Sequence, residues 1–269
     1  MEALVELLKG KRVCVLTGAG ISTESGIPDY RGPTAPPRLR APIQHRDFLE
    51  QPHTRARYWA RSMLGWPRFR KFEPNAAHRA LASWSAATGL ITQNVDRLHQ
   101  KAGHRQVVEL HGALAEVRCL SCPARIDRDE LQQTLEADNP QALAWSYTLF
   151  ADGDADLPDE VVEGFIVRPC DCGGVLKPDV VFFGDSVPRP RVETAFAQLD
   201  AADALLVVGS SLTVFSGYRF VLRAKERGQP IAVLNLGPTR ADADAAVKLA
   251  ARAGELLPAL VAALREKER

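Results

Sequence analysis

The chain lacks the features that would mark a membrane, secreted or nucleic-acid-coating protein. Its longest apolar runs, such as Ala204 to Val208, fall far short of the roughly 20 residues that a membrane-crossing helix needs. The N-terminus, MEALVELLKGKRVCVLTGAG, has no basic-then-apolar leader with a small-residue cleavage site and no Arg- and Ser-rich transit segment. A cytoplasmic protein is expected. Net charge is almost absent: 34 Lys and Arg stand against 33 Asp and Glu, a formal +1, so no global field draws in nucleic acid or acidic lipid. There is no internal repeat or low-complexity tract. Cysteine is scarce and odd in number. Five cannot all pair, and four of them form two close couples, Cys119/Cys122 and Cys170/Cys172, which favours a metal over disulfides.

The 269 residues, 46% hydrophobic and 25% charged, suit one large or two small globular domains. Leu4, Val5, Leu7 and Leu8 recur at helical spacing over residues 2–9, and the following segment, Lys11 to Leu16, reads as a short buried strand, VCVL. Further β-like runs lie at Leu90 to Thr92, Ala204 to Val208 and Ile231 to Leu234, each bounded by Gly, Asn or Ser. Helical patterns cover His78 to Thr88 and Tyr218 to Arg227. This alternation predicts an α/β protein with a Rossmann-like parallel sheet.

Two stretches interrupt the pattern. Residues 33–76 are rich in Pro and Arg and carry an amphipathic piece around Arg55 to Leu64, the mark of an inserted helical lid. Residues 115–176 hold both cysteine couples and an acidic middle of Asp152, Asp154, Asp156, Asp159 and Glu160, an insertion expected to fold around metal. The Rossmann-like domain would then be discontinuous, made of 1–32, 77–114 and 177–269, with the two insertions forming a smaller zinc-binding and helical domain.

Thr17-Gly18-Ala19-Gly20-Ile21-Ser22 leaves the first strand and enters a helix-forming segment, a context in which glycines let the backbone approach a pyrophosphate at a helix N-terminus. By itself GAG is a weak sign, and a plain strand-to-helix turn stays open. An ordinary dehydrogenase fits badly, because the third glycine is out of place and the second strand ends in Thr92-Gln93-Asn94 with no acidic residue. Cys119-x-x-Cys122 and Cys170-x-Cys172-Gly-Gly supply four thiolates for tetrahedral zinc, a structural site because no coordination position is left open. Four free thiols are the alternative. Cys14, inside the first strand, reads as a buried side chain.

Six blocks in fixed order, GAGISTESGIPDYRG (18–32), TQNVDRLHQKAG (92–103), ELHG (109–112), KPDVVFFGD (177–185), VGSSLTVFSG (208–217) and LNLGPTRAD (234–242), resemble the signature segments of sirtuins, NAD-dependent protein lysine deacylases. PIQH, RYWAR and GWP resemble the class II, mitochondrial lipoamidase and ADP-ribosyltransferase-like branch. The resemblance implies that the acyl oxygen of a modified lysine attacks the nicotinamide ribose, with release of nicotinamide and O-acyl-ADP-ribose. NAD and the acyl-lysine protein or peptide would meet in the cleft between a Rossmann-like and a zinc-binding domain. Such chemistry needs a base near neutral pH and a reacting centre shielded from water.

His111 matches the general base of the family, with Asn94 and Asp96 completing the catalytic set. The resemblance assigns NAD contacts to Gly18, Ala19, Gly20 and Ser22, to Asp29, Tyr30 and Arg31, to Gln93 with Asn94 and Asp96, to Gly209, Ser210 and Ser211, and to Asn235, Gly237 and Ala253. Tyr30 stands where the family has Phe. Zinc falls to Cys119, Cys122, Cys170 and Cys172, although CxC departs from the usual second CxxC. Residues 180–185 and 212–217 match the two edges that flank the substrate peptide as an added strand, with Val181, Phe182, Phe183, Gly184 and Val214 at the lysine tunnel. Tyr58 and Arg61, three apart on one helical face, resemble the pair that reads acidic acyl groups in desuccinylase-type sirtuins. The rivals are protein mono-ADP-ribosyl transfer and a non-catalytic NAD-responsive binding module, the latter disfavoured by His111, Asn94 and Asp96. A monomer with no membrane or direct nucleic-acid partner completes the expectation.

Overall fold

The computed structural model describes residues 1–29, 42–149 and 155–266. Its strands, in chain order, are β1 (Val13–Thr17), β2 (Ala87–Thr92), β3 (Val107–Glu109), β4 (Gly112–Cys119), β5 (Arg125–Asp127), β6 (Thr148–Leu149), β7 (Ala155–Asp156), β8 (Leu176–Val180), β9 (Ala204–Val208), β10 (Ile231–Leu234) and β11 (Val247–Leu249). The α-helices are α1 (Glu2–Leu8), α2 (His45–Glu50), α3 (Pro52–Phe69), α4 (Ala76–Ser83), α5 (Leu98–Lys101), α6 (Arg128–Asp138), α7 (Arg189–Asp200), α8 (Phe215–Glu226) and α9 (Ala253–Glu266). No described helix is long and apolar enough to cross a membrane.

Two compact units divide the chain. The first takes Met1–Pro36, Glu73–His111 and Val187–Arg269. Its sheet is parallel, ordered β11-β10-β9-β1-β2-β3. The central strands are apolar at almost every position because both faces are covered. Alternate side chains go to opposite faces: Val13, Val15, Leu206 and Leu234 join one cluster with α1, α4 and α9, while Cys14, Leu16, Leu205 and Val233 join the other with α7 and α8. The chain leaves β1 toward β2 and β3 and later lays β9 on the opposite side of β1. That reversal creates a switch point at the C-terminal ends of β1 and β9, where open parallel sheets bind ligands.

The second unit takes Pro37–Phe72 and Gly112–Ser186. An antiparallel sheet, β5-β4-β8, packs with α3 and α6 around Trp59, Met63, Val117, Leu131, Leu135 and Leu176. The units divide at 112 and 187 where the sequence suggested 115 and 177, because β4 and β8 pair with each other over Gly112↔Val180 to Cys119↔Leu176.

Two expected elements differ. The helix foreseen over His78 to Thr88 ends at Ser83, since Trp84 is extended and Ala87 already pairs with Val13 in the sheet. The GAG turn opens no α-helix either. It runs into two 3-10 turns, Ala19–Ile21 and Thr23–Ser25. Here Thr23 Oγ1 donates to the Gly20 carbonyl at 3.0 Å, the local bond by which hydroxyl residues compete with helix. The turn therefore presents the start of a 3-10 turn where an α-helix N-terminus was expected.

Candidate active site

At the switch point the glycines bring two turns together, backbone to backbone. Gly18 N–H donates to the Val208 carbonyl at 3.1 Å and Gly20 N–H to the Gly209 carbonyl at 2.8 Å. Gly209 sits at φ +60°, and a Cβ there would lie 2.4 Å from the Ile21 nitrogen. Only glycine satisfies both the left-handed angle and the contact.

Beneath these turns lies a layer of polar side chains. Asn94 Nδ2 donates to the Gly18 carbonyl and to Ser22 Oγ, both at 3.1 Å, and Ser22 Oγ donates to Asp96 Oδ2 at 2.7 Å. Asp96 Oδ1 accepts the Leu98 N–H at 2.9 Å. Burial raises the Asp96 carboxyl above its ordinary range. Gln93 Nε2 donates to Ser210 Oγ at 2.7 Å, and Ser210 Oγ also accepts the Leu212 N–H at 3.2 Å. Leu212 takes the strained φ of +56°, turning the chain after Ser211, whose hydroxyl pairs with Thr213 Oγ1 at 3.0 Å. Asn235, after β10, donates to the Gly237 carbonyl at 2.9 Å.

His111 follows β3 through Leu110. Its Nδ1 lies 2.9 Å from the Gln93 carbonyl and its Nε2 2.8 Å from Ser216 Oγ. A carbonyl only accepts, so Nδ1 carries the proton of the neutral ring and Nε2 holds the lone pair. Burial lowers the His111 pKa, and Arg191 and Arg219 push the same way against the opposing Gln93 bond. The ring is thus a neutral base at physiological pH, with the basic nitrogen identified.

In the second unit the four cysteine sulfurs lie within 4.8 Å of one another. Cys119 Sγ is 3.5 Å from Cys172 Sγ, and Cys122 Sγ 3.7 Å from Cys170 Sγ. Four thiolates about 2.3 Å from one zinc would be roughly 3.8 Å apart, so the donor set fits tetrahedral zinc. The CxC spacing is accommodated by a tight turn in which Gly173 N–H donates to the Cys170 carbonyl at 2.7 Å. The second glycine is needed too: a Cβ on Gly174 would stand 2.5 Å from Cys119 Sγ. The Ser121 N–H reaches Cys119 Sγ at 3.3 Å and pulls that thiol down to about 7. Cys14 is fully buried, its thiol pushed up to about 12 by desolvation.

A model of the Sir2 family matches residues 18–216. The chain belongs to the Sir2 family. It is 56% identical over 236 residues to the "NAD-dependent protein deacetylase" of Xanthomonas axonopodis pv. citri (strain 306), covering 86% of this chain and 80% of that one. It is 51% identical over 255 residues to the human "NAD-dependent protein lipoamidase sirtuin-4, mitochondrial", covering 92% and 81%. Among solved structures, a Sir2–p53 peptide–NAD+ complex superposes with a TM-score of 0.75 at 30% identity, covering 97% of each chain. A Sir2 complex with an inhibitor, 2'-O-acetyl-ADP-ribose and deacetylated p53 peptide gives 0.74 at 28% identity, covering 97% of this chain and 98% of that one.

Against this Sir2 background, the donor set at the switch point, amides, hydroxyls and a neutral imidazole around glycine-tight turns, fits NAD. Ala253 is buried in the core cluster at the start of α9. Asp29 is half-buried, while Tyr30 and Arg31 lie outside the described residues. Val214 is exposed just before α8. Phe182 packs against Phe48 and Tyr58, with ring centroids 5.3 and 5.4 Å apart. Val181 is half-buried, Phe183 exposed, and Gly184 turns at φ +78°. Arg61 Nε donates to the Ala155 carbonyl at 2.8 Å.

Sequence reasoning missed the layer below Asn94. Thr17 Oγ1 donates to Thr92 Oγ1 at 2.8 Å and lies 3.0 Å from His99 Nε2, and the His99 ring meets His78 edge-on at 4.8 Å. Asn75 caps α4 and donates to the Ile21 carbonyl at 2.7 Å. The Asn75-x-x-His78 spacing is a capping-box signal that could have found two of these residues. Nothing local to TVFSG marks Ser216 as a partner of His111.

Proposed function

We propose that this chain is an NAD-dependent protein lysine deacylase in which His111 is the general base, Asn94 and Asp96 shape the ribose side of the site, and zinc on Cys119, Cys122, Cys170 and Cys172 is structural. The observation that carries the reading is the His111 ring: Nδ1–H fixed on the Gln93 carbonyl, Nε2 left basic, and burial keeping the imidazole neutral. When bound, NAD supplies the ribose carbon that takes the acyl oxygen, the nicotinamide leaving group and the hydroxyl to be deprotonated. Once its single lone pair has passed from the Ser216 hydroxyl to the ribose hydroxyl, His111 Nε2 receives that proton. Asn94 and Asp96 hold the GAG turn through Ser22, and Gln93 ties the turn after β9 to the base through Ser210 and its own carbonyl.

The substrate reading is an acyl-lysine protein bound along residues 180–185 and 212–217, mostly through backbone pairing, so the target sequence is weakly selected. The near-zero net charge supplies no global field for nucleic acid, and a cytoplasmic monomer belongs to the same reading. Tyr58 packs against Phe182, which supports a place for it beside the acyl chain. Arg61 reading a distal carboxylate rests on its spacing from Tyr58, since its Nε already serves the Ala155 carbonyl.

The test is nicotinamide release with acetyl, glutaryl and lipoyl lysine peptides. His111→Ala is expected to lose about 10²- to 10⁴-fold on every acyl group, and O-acyl-ADP-ribose should appear by mass spectrometry. A His111→Ala protein at full speed, or a stably ADP-ribosylated protein as the only product, overturns the reading. In the same panel Arg61→Ala losing glutaryl turnover alone supports the carboxylate role; equal loss on all three removes it.

A further inference from the structure

We propose that Ser216 is a positioning residue for His111, giving the buried ring of the NAD-free chain a hydrogen-bond partner at Nε2 in both of its charge states. This rests on the reading of His111 as the base. The neutral ring has its Nδ1 proton on the Gln93 carbonyl, so at 2.8 Å the Ser216 hydroxyl donates to Nε2. Once Nε2 has taken a proton it must donate instead, and a hydroxyl can turn from donor to acceptor without moving its oxygen. Amide N–H or guanidinium groups cannot do this.

The surroundings make the second partner matter. His111 is buried, and the charged groups that act on it, Arg191 on α7 and Arg219 on α8, are both cationic. Ser216 is the second residue of α8, so the positive end of that helix adds to the same field. Burial, two cations and a helix N-terminus all oppose an imidazolium. What offsets them is hydrogen bonding to the charged ring, stronger than bonding to a neutral one, and the described acceptors are the Gln93 carbonyl and Ser216 Oγ.

The neighbouring residue supports the same arrangement. A Cβ on Gly217 would stand 2.4 Å from Gln93 Oε1, so glycine there lets Gln93 sit against the start of α8, where Ser210 Oγ holds its Nε2 at 2.7 Å. Ser216 and Gly217 thus secure both nitrogens of His111, one directly and the other through Gln93. The two consecutive residues fix the ring's rotation as well as its tautomer.

The experiment is a ¹⁵N-histidine NMR titration of the full chain without NAD, with the His111 signal assigned from His111→Ala. Ser216→Ala is expected to lower the His111 pKa by about half a unit to one unit, the difference between a bond to a charged and to a neutral ring. Ser216→Thr, which keeps the hydroxyl, should restore it. Nicotinamide release should show kcat down about tenfold in Ser216→Ala, with KM for NAD little changed and the acid limb moved to lower pH. An unchanged or raised His111 pKa in Ser216→Ala overturns the proposal, whatever the turnover. Failure of the wild-type chain to release nicotinamide with any acyl peptide would sink the deacylase reading separately, because the titration needs neither NAD nor turnover.

Discussion

The two units each gather polar atoms at one place, and they satisfy them in opposite ways. At the strand ends of the parallel sheet Thr17, Thr92, Ser22, Asn94, Asp96 and Ser210 bond to one another and to the backbone. The site can form before any ligand arrives. In the other unit four thiols face one another within 4.8 Å and need a cation to hold them as thiolates. The difference predicts where metal removal acts, and it is the largest effect expected. Chelation, or Cys122→Ser, should release one zinc per chain. Hydrogen-exchange protection should then be lost in β4 and β8 while the amides of β1 and β9 keep theirs. Structural zinc binding is worth about 10–16 kcal/mol in small zinc domains, far more than one hydrogen bond. Equal loss of protection in both sheets would break the comparison.

The strand-end cluster has its own weak point, which is acid. His78 Nδ1 accepts the Asn75 N–H at 3.3 Å, and its Nε2, like His99 Nδ1, is buried with no partner among the described residues. Burial, helped by the Arg79 charge, lowers the His78 pKa from 6.5 to about 4, and burial takes His99 well below its ordinary value. Above pH 6.5 neither the folded nor the unfolded chain holds this proton, and stability is full. As pH falls from 6.5 toward about 4, the unfolded chain binds a proton that the folded one refuses, and stability drains away. The shift of His78 alone amounts to about 3 kcal/mol. Urea titrations from pH 7.5 to pH 4.5 should show the loss, and His78→Gln should flatten it. A pH-independent midpoint in the wild-type chain would show that the cluster is not closed to protons.

The same contrast explains what could be read from the sequence. The gathering of the four cysteines was legible to the last residue because they sit in two short turns whose spacing is local. The central strands were legible too, since VCVL, ALLVV and IAVL carry their two-sided burial in their composition. His111 was legible only by resemblance, because nothing within ELHG shows that the Gln93 carbonyl, 18 residues earlier, fixes its tautomer. Ser216 is 105 residues from its partner, and His78 and His99 meet only after α4 and α5 have packed. The misread GAG helix has the same root: hydroxyls at Ser22 and Thr23 turn the backbone by bonds that no apolar periodicity records.

The smallest effect probes how far the strand-end cluster is self-contained. Asn75 Oδ1 accepts the N–H groups of Ala77 and His78, while Nδ2 donates to the Ile21 carbonyl at 2.7 Å and to Ser25 Oγ at 3.1 Å. Asn75→Asp keeps the cap, since either side chain accepts at that position, but it deletes the donor and leaves the Ile21 carbonyl, just past the GAG turn, without its amide partner. The loss should be about 1–2 kcal/mol at pH 7.5 by urea titration. The new carboxylate would also stand where Oδ1 now lies, 3.1 Å from His78 Nδ1, and a nearby negative charge raises a histidine pKa. Protonation of His78 then costs less, so the gap between variant and wild type should narrow as pH falls toward 5. A gap of constant size across that range would mean that the cap and the buried imidazoles act independently, and the cluster would be a set of separate bonds instead of one unit.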